Sequence, residues 1–230
     1  NLKSEAGMET AEGQLWLRMA NAGARADVVH ALSDLSLTDD ENDDRQEEWN
    51  RQEERRNLYL GTGAAEGIPA LFCRCAICNE ARKRGGRELR TRSQAIIDDK
   101  ILVDFPADSY FHIQHYNMDF SIVAHLLITH SHDDHFYPFD LLMRLPIYGH
   151  DMGAEVLHIY GNDVVGSLLK EAADRFCVPE IWDYLHFHEV KPFEKFEIED
   201  YTIYPMPTKH MKTEPALIYL IEHDGKTILY

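Results

Sequence analysis

Residues 126–135 read Leu-Leu-Ile-Thr-His-Ser-His-Asp-Asp-His, an apolar run that ends in His-x-His-x-Asp-His. The apolar part reads as a β-strand, and the polar part as the loop at its end. Neutral imidazoles and carboxylates are the ligands that borderline divalent metals prefer. The spacing lets His130 and His132 reach one ion from a turning backbone, while Asp134 and His135 face a second. Two neighbouring ions can clamp the attacking and leaving oxygens of a displacement. A chain carrying this motif must therefore end a strand at an open, ligand-accessible edge.

The rest of the chain supplies strands to surround it. From residue 57 onward, short β-like runs are expected at 58–60, 95–98, 101–104, 122–129, 156–160, 184–190, 196–198, 201–206, 216–222 and 227–230. Gly85-Gly86, Asp99-Lys100 and Asp224-Gly225 punctuate them as turns. Helical patterns fall at 163–176, capped by Asn162, and near 108–115 and 137–144. Strands with intervening helices predict an α/β (α+β) domain over 57–230. Residues 1–56 have a different texture. A broken apolar pattern is followed by the capping box Thr38-Asp39-Asp40-Glu41 and a helix charged nearly all round, predicting a helical N-terminal extension.

Three of the four cysteines crowd into Cys73, Cys75 and Cys78. That spacing is too tight for disulfide pairing of all three. In a reducing compartment, here taken as the cytoplasm, it reads as thiolate metal ligation. The net charge of −17 argues against a general nucleic-acid scaffold but leaves a local basic patch open. Such a patch exists: residues 58–100 hold 8 bases against 5 acids. It reads as a solvated helix face or as a contact for an anionic substrate. No apolar run is long enough to span a membrane, and no signal pattern opens the chain. Gly61-Thr62-Gly63 departs from dinucleotide-binding spacing and reads as a tight turn beside the active site. His186 and His188 share one strand face and read as a surface or core pair, and His125 as a satisfied core histidine. His112, His115, His150, His158 and His223 show no partner pattern. Phe136, Tyr137, Phe139 and Met143 read first as core of the 137–144 helix.

The strand-to-His-x-His-x-Asp-His junction resembles the metallo-β-lactamase-fold hydrolases, an αββα sandwich. The resemblance covers about 57–230. It implies that Asp104, after the strand 101–104, orients the metal site without binding the ion, and that His210 joins His130 and His132 on the first metal. Asp134 and His135 would hold the second ion, zinc or manganese. The segment from Gly61 through the three cysteines is similar to the PhnP-like phosphoribosyl cyclic phosphodiesterases, where the cysteines hold a structural zinc. The resemblance further implies that the sandwich is cut short within its second sheet. A metal-bridging aspartate, a last metal histidine and a fourth zinc ligand would fall beyond Tyr230. Phe105-Pro106 stands where the family commonly has glycine and is expected to reshape the loop while keeping the Asp104 carboxylate.

The implied function is a metal-dependent phosphodiesterase acting on a cyclic or small phosphodiester, with hydroxide at a dinuclear site as nucleophile and a small phosphate-containing substrate as partner. Two alternatives stand beside it. One is a non-catalytic, metal-stabilised binding module or inactive fragment. The other is a thioester or lactone hydrolase, or a nuclease, of the same fold. A homodimer is an open assembly.

Overall fold

The structure is a computed structural model and describes residues 57–210 and 212–230. The chain divides into two units between Glu54 and Arg55. The expected N-terminal helices and the capping box at Thr38 lie outside the described residues.

The described residues build two sheets. The first has six strands in sequence order: β1 (Asn57–Gly61), β2 (Gln94–Ile97), β3 (Ile101–Val103), β4 (His125–Leu127), β5 (Leu157–Gly161) and β6 (Leu185–Glu189). β1, β2 and β3 pair antiparallel, whereas β3 through β6 run parallel. Parallel pairing needs crossovers. Helix α2 (Ser109–His115) lies in the β3–β4 crossover and α3 (Asp163–Phe176) in the β5–β6 crossover. Helix α1 (Ala76–Arg84) precedes β2. The second sheet is antiparallel, in the order β10 (Lys226–Leu229), β9 (Ala216–His223), β8 (Tyr201–Thr208), β7 (Phe196–Ile198).

Side-chain alternation explains the layering. Leu102, Leu126, Ile159 and Leu185 point to one face of the first sheet and pack with Val165, Leu169 and Ala173 of α3. Val103 and Leu127 point to the other face and meet Tyr201, Ile203, Leu217 and Tyr219 of the second sheet. The described layers are therefore helix, sheet, sheet. Close approach of α3 depends on Gly166, where a Cβ would lie 2.5 Å from the Phe187 ring.

Three local expectations change. The 122–129 strand is short: residues 120–122 form a 3-10 turn and only His125–Leu127 pair as strand. Residues 138–144 form a 3-10 helix rather than an α-helix. Phe136 is fully buried in the core, but Met143 is 48% exposed, so the expected core role of Met143 is not met.

Candidate metal centre

The site forms where the two sheets converge. β4 ends at Leu127, yet its backbone stays pinned beyond that point. The Ile128 amide donates to the Tyr160 carbonyl, the Leu217 amide of β9 donates to the Thr129 carbonyl, and the Tyr219 hydroxyl donates to the Ile128 carbonyl. The chain then turns through His130–His135, with the His135 and Phe136 amides both donating to the His132 carbonyl.

The ligand atoms of His130, His132 and His210 lie within 4.8 Å of one another. Their ring centroids are 4.8–5.4 Å apart. His210 enters just after β8, from the second sheet. The donor set fits a divalent ion: three imidazoles converge from two distant segments. Burial lowers the pKa of His130 to about 4, helped by repulsion from His135, His132 and His210. The ring is therefore neutral at pH 7, which is the ligating form. Its Nδ1 lies 3.0 Å from the Thr129 hydroxyl.

Asp134 and His135 are also brought together, with His135 Nε2 3.5 Å from the Asp134 carboxylate. The other ring nitrogen, Nδ1, lies 2.6 Å from Asp104 Oδ2. Burial disfavours protonation of His135, but Asp104 and then Asp134 outweigh it, so its pKa is raised. Asp104 is wholly buried and its Oδ1 accepts the Thr129 amide and hydroxyl, each at 2.9 Å. One carboxylate thus fixes both the strand end and the orientation of a motif imidazole, as carboxylates behind metal-binding histidines commonly do. Asp104 has φ +63°, in the left-handed region that aspartate tolerates better than most side chains. Phe105 keeps the loop in place: its amide donates to the His135 carbonyl and its carbonyl accepts the Tyr137 amide. Asp133 is exposed.

Sequence reasoning missed Glu214. This residue is 6% exposed, and its carboxylate accepts the Ser131 amide, the Ser131 hydroxyl and Asn162 Nδ2. Asn162 in turn caps α3 through the Val165 amide, as expected. A lone acid in a loop far along the chain carries no local signal of this role.

Cys73, Cys75 and Cys78 form a second cluster of converging ligand atoms. Cys75 is the N-cap of α1 and Cys78 lies in its first turn. Hydrogen bonding from the Cys78 backbone and from the Cys73 and Cys78 side chains lowers Cys75 to about 7. Thiolate character at a helix N-terminus suits metal ligation. Cys177 stands apart, exposed in a left-handed C-cap.

Much of the basic patch is engaged within the chain. Arg82 donates to the Ala70 and Cys73 carbonyls, Arg84 pairs with Glu80, Arg90 donates to Thr62, and Arg92 pairs with Asp108. Arg87, Arg90 and Arg92 line a cavity of about 840 Å³ together with Tyr59, Phe111 and Tyr116. The Gly61-Thr62-Gly63 turn packs against residues 90–92, where a Cβ on Gly61 would meet the Arg92 carbonyl oxygen at 1.9 Å. His112 is buried, hydrogen-bonded to Gln94 and Thr91.

A mixed α/β sandwich with a His-x-His-x-Asp-His loop at a strand end defines a metallo-β-lactamase-fold protein, and solved structures share that fold. Zn(2+)-bound PqqB from Methylobacterium extorquens aligns with TM-score 0.60 and 20% identity, over 76% of this chain and 61% of that one. A diphosphatase from the PhnP family aligns with TM-score 0.55 and 22% identity, over 72% and 61%. The short form of human tRNase Z aligns with TM-score 0.54 and 17% identity, over 75% and 66%.

Residues 94–230, more than half of the chain, match the family described as Anti-Pycsar protein Apyc1, and the chain belongs to that family. Among curated relatives, an octanoyltransferase of Porphyromonas gingivalis is 26% identical over 173 residues, covering 72% of this chain and 33% of the relative. A ribonuclease Z of a Picosynechococcus species is 27% identical over 155 residues, covering 67% and 44%. The chain thus spans between a third and a half of the curated relatives it matches.

Proposed function

We propose that the protein is a metal-dependent phosphodiesterase acting on a cyclic or small phosphodiester. The observation that carries this reading is the convergence of His130, His132 and His210 beside the Asp134–His135–Asp104 chain. The first three residues would hold one divalent ion, and Asp134 and His135 a second. Such ions lower the pKa of water and neutralise charge developing on phosphoryl oxygens.

The chain's own residues prepare that chemistry. Burial keeps His130 neutral. Asp104 orients His135 and anchors Thr129, which meets His130. Glu214 holds the Ser131 backbone between two motif histidines. Likeness to a PhnP-family diphosphatase and to ribonuclease Z supports phosphoester chemistry over thioester or lactone cleavage. Cys73, Cys75 and Cys78 would hold a structural zinc that pins the loop before α1. We place the hydrolase domain at 57–230 and the extension at 1–56.

The test compares bis-p-nitrophenyl phosphate with thioester and lactone substrates after loading with zinc or manganese, with elemental analysis of the bound metal. Phosphodiester turnover with at least two ions per chain supports the proposal. Zinc only at the cysteines and no turnover would make the protein a non-catalytic module. Turnover confined to the thioester or lactone would reassign the substrate.

A further inference from the structure

Asp104 has a fourth donor, and it comes from the second sheet. Tyr230 follows β10 and continues the pairing with β9. Its amide donates to the Tyr219 carbonyl at 3.0 Å, and its carbonyl accepts the Tyr219 amide at 2.9 Å. The ring packs against the core between the sheets and stacks on Tyr59 of β1, with centroids 6.3 Å apart. That placement brings the hydroxyl to 2.8 Å from Ser93 Oγ, just before β2, and into a hydrogen bond with the Asp104 side chain.

Chemistry sets the direction of these bonds. An ionised carboxylate only accepts, so the phenol donates to Asp104; the phenol has one hydrogen, so Ser93 donates to the phenol. Burial, and then the charge of Asp104, raise the pKa of Tyr230, which keeps the hydroxyl protonated. The Asp104 carboxylate thus accepts the Thr129 amide, the Thr129 hydroxyl, His135 Nδ1 and the Tyr230 hydroxyl. A carboxylate offers about four acceptor positions, so this one is full. With its Nδ1 hydrogen given to Asp104, His135 presents Nε2 toward the Asp134 carboxylate, 3.5 Å away.

We propose that Tyr230 is a positioning residue that acts through Asp104, setting how strongly the carboxylate pulls on His135 and so how strong a metal ligand His135 Nε2 is. The proposal rests on the reading of Asp134 and His135 as ligands. Donors that meet on one carboxylate share its negative charge, and linked hydrogen bonds polarise one another. The more charge the phenol draws, the less remains to polarise the His135 ring, and a carboxylate behind a ligating histidine raises its basicity. Thr129 and His135 belong to the motif strand and its loop, whereas Tyr230 belongs to the second sheet. Packing of the two sheets therefore tunes the ligand.

Tyr230→Phe in the full chain keeps the ring and removes only the hydroxyl. In the metal-free protein the His135 Nδ1–H proton resonance should move downfield, because the freed charge falls on that bond, while far-UV circular dichroism stays unchanged. Ser93→Ala takes away the bond that polarises the phenol and leaves it a weaker donor. It should move the same resonance in the same direction by a smaller amount, which keeps the test valid if Tyr230→Phe misfolds. Zinc affinity, measured by chelator competition at pH 7.5, should rise in Tyr230→Phe. A His135 resonance that stays in place or moves upfield in the folded variants overturns the role of Tyr230. A downfield shift with unchanged zinc affinity overturns instead the reading of His135 as a ligand.

Discussion

Asp104 illustrates how one residue couples folding to chemistry. Its carboxylate is buried, and three of its contacts hold the motif loop: the Thr129 amide, the Thr129 hydroxyl and His135 Nδ1. Asp104→Asn keeps the shape but removes the charge and one acceptor. Metal affinity should fall about 10–100-fold, as for partners behind other metal ligands, measured by competition with a chelator. His132 is exposed and holds little of the core, so His132→Ala should abolish turnover while far-UV circular dichroism stays unchanged. His112 makes a separate prediction. Burial lowers its pKa to about 4, with the unfolded value near 6.5. The unfolded chain takes the proton first on acidification. The stabilising contribution is therefore complete above about pH 6.5, fades as pH falls, and is gone near pH 4. It amounts to about 3 kcal/mol, and urea unfolding at pH 7 and pH 4.5 should show His112→Gln losing most of this dependence. No sequence pattern marked His112, because its partners Gln94 and Thr91 belong to a different segment.

At the scale of elements, the site depends on how segments are clamped. Glu214, before β9, ties the Ser131 backbone to Asn162 at the start of α3. Glu214→Ala leaves buried donors without an acceptor and should cost about 1–3 kcal/mol in denaturant unfolding, with weaker metal binding. Gly166 lets α3 lie on β6, and Gly166→Ala should cost roughly 1–3 kcal/mol because the Phe187 ring must move. Asn162 was legible as a helix cap from type and position alone. Its Nδ2 contact with Glu214 was not, since it joins residues 52 positions apart. The arginines of the basic patch show the same limit. Composition suggested a surface for anions, but Arg82 and Arg92 are committed to the Cys73 carbonyl and Asp108.

At the scale of the molecule, the described fold is two sheets meeting over Leu127, Val103, Tyr219 and Ile203, with His130, His132 and His210 converging at their junction and a cysteine cluster at α1. Among the described residues no helix is long and apolar enough to cross a membrane. If the cysteines hold zinc, its removal by a chelator should lower Tm by about 10 °C, corresponding to roughly 3 kcal/mol for a chain of this size, and Cys75→Ser should mimic the loss. The sequence by itself determined the strand-to-motif junction, most strand positions, the α3 cap and which residues make up the motif. Those features rest on local periodicity and on residue chemistry within a few positions. Only the tertiary structure decided which distant groups complete them. Glu214 behind Ser131 and the in-register pairing of His125, His158 and His186 across β4, β5 and β6 depend on register and crossover, and His210, which the family resemblance had suggested, is brought to His130 by the same means. A sheet sets such contacts by hydrogen-bonding strands that are far apart in the chain, so no local pattern can encode them.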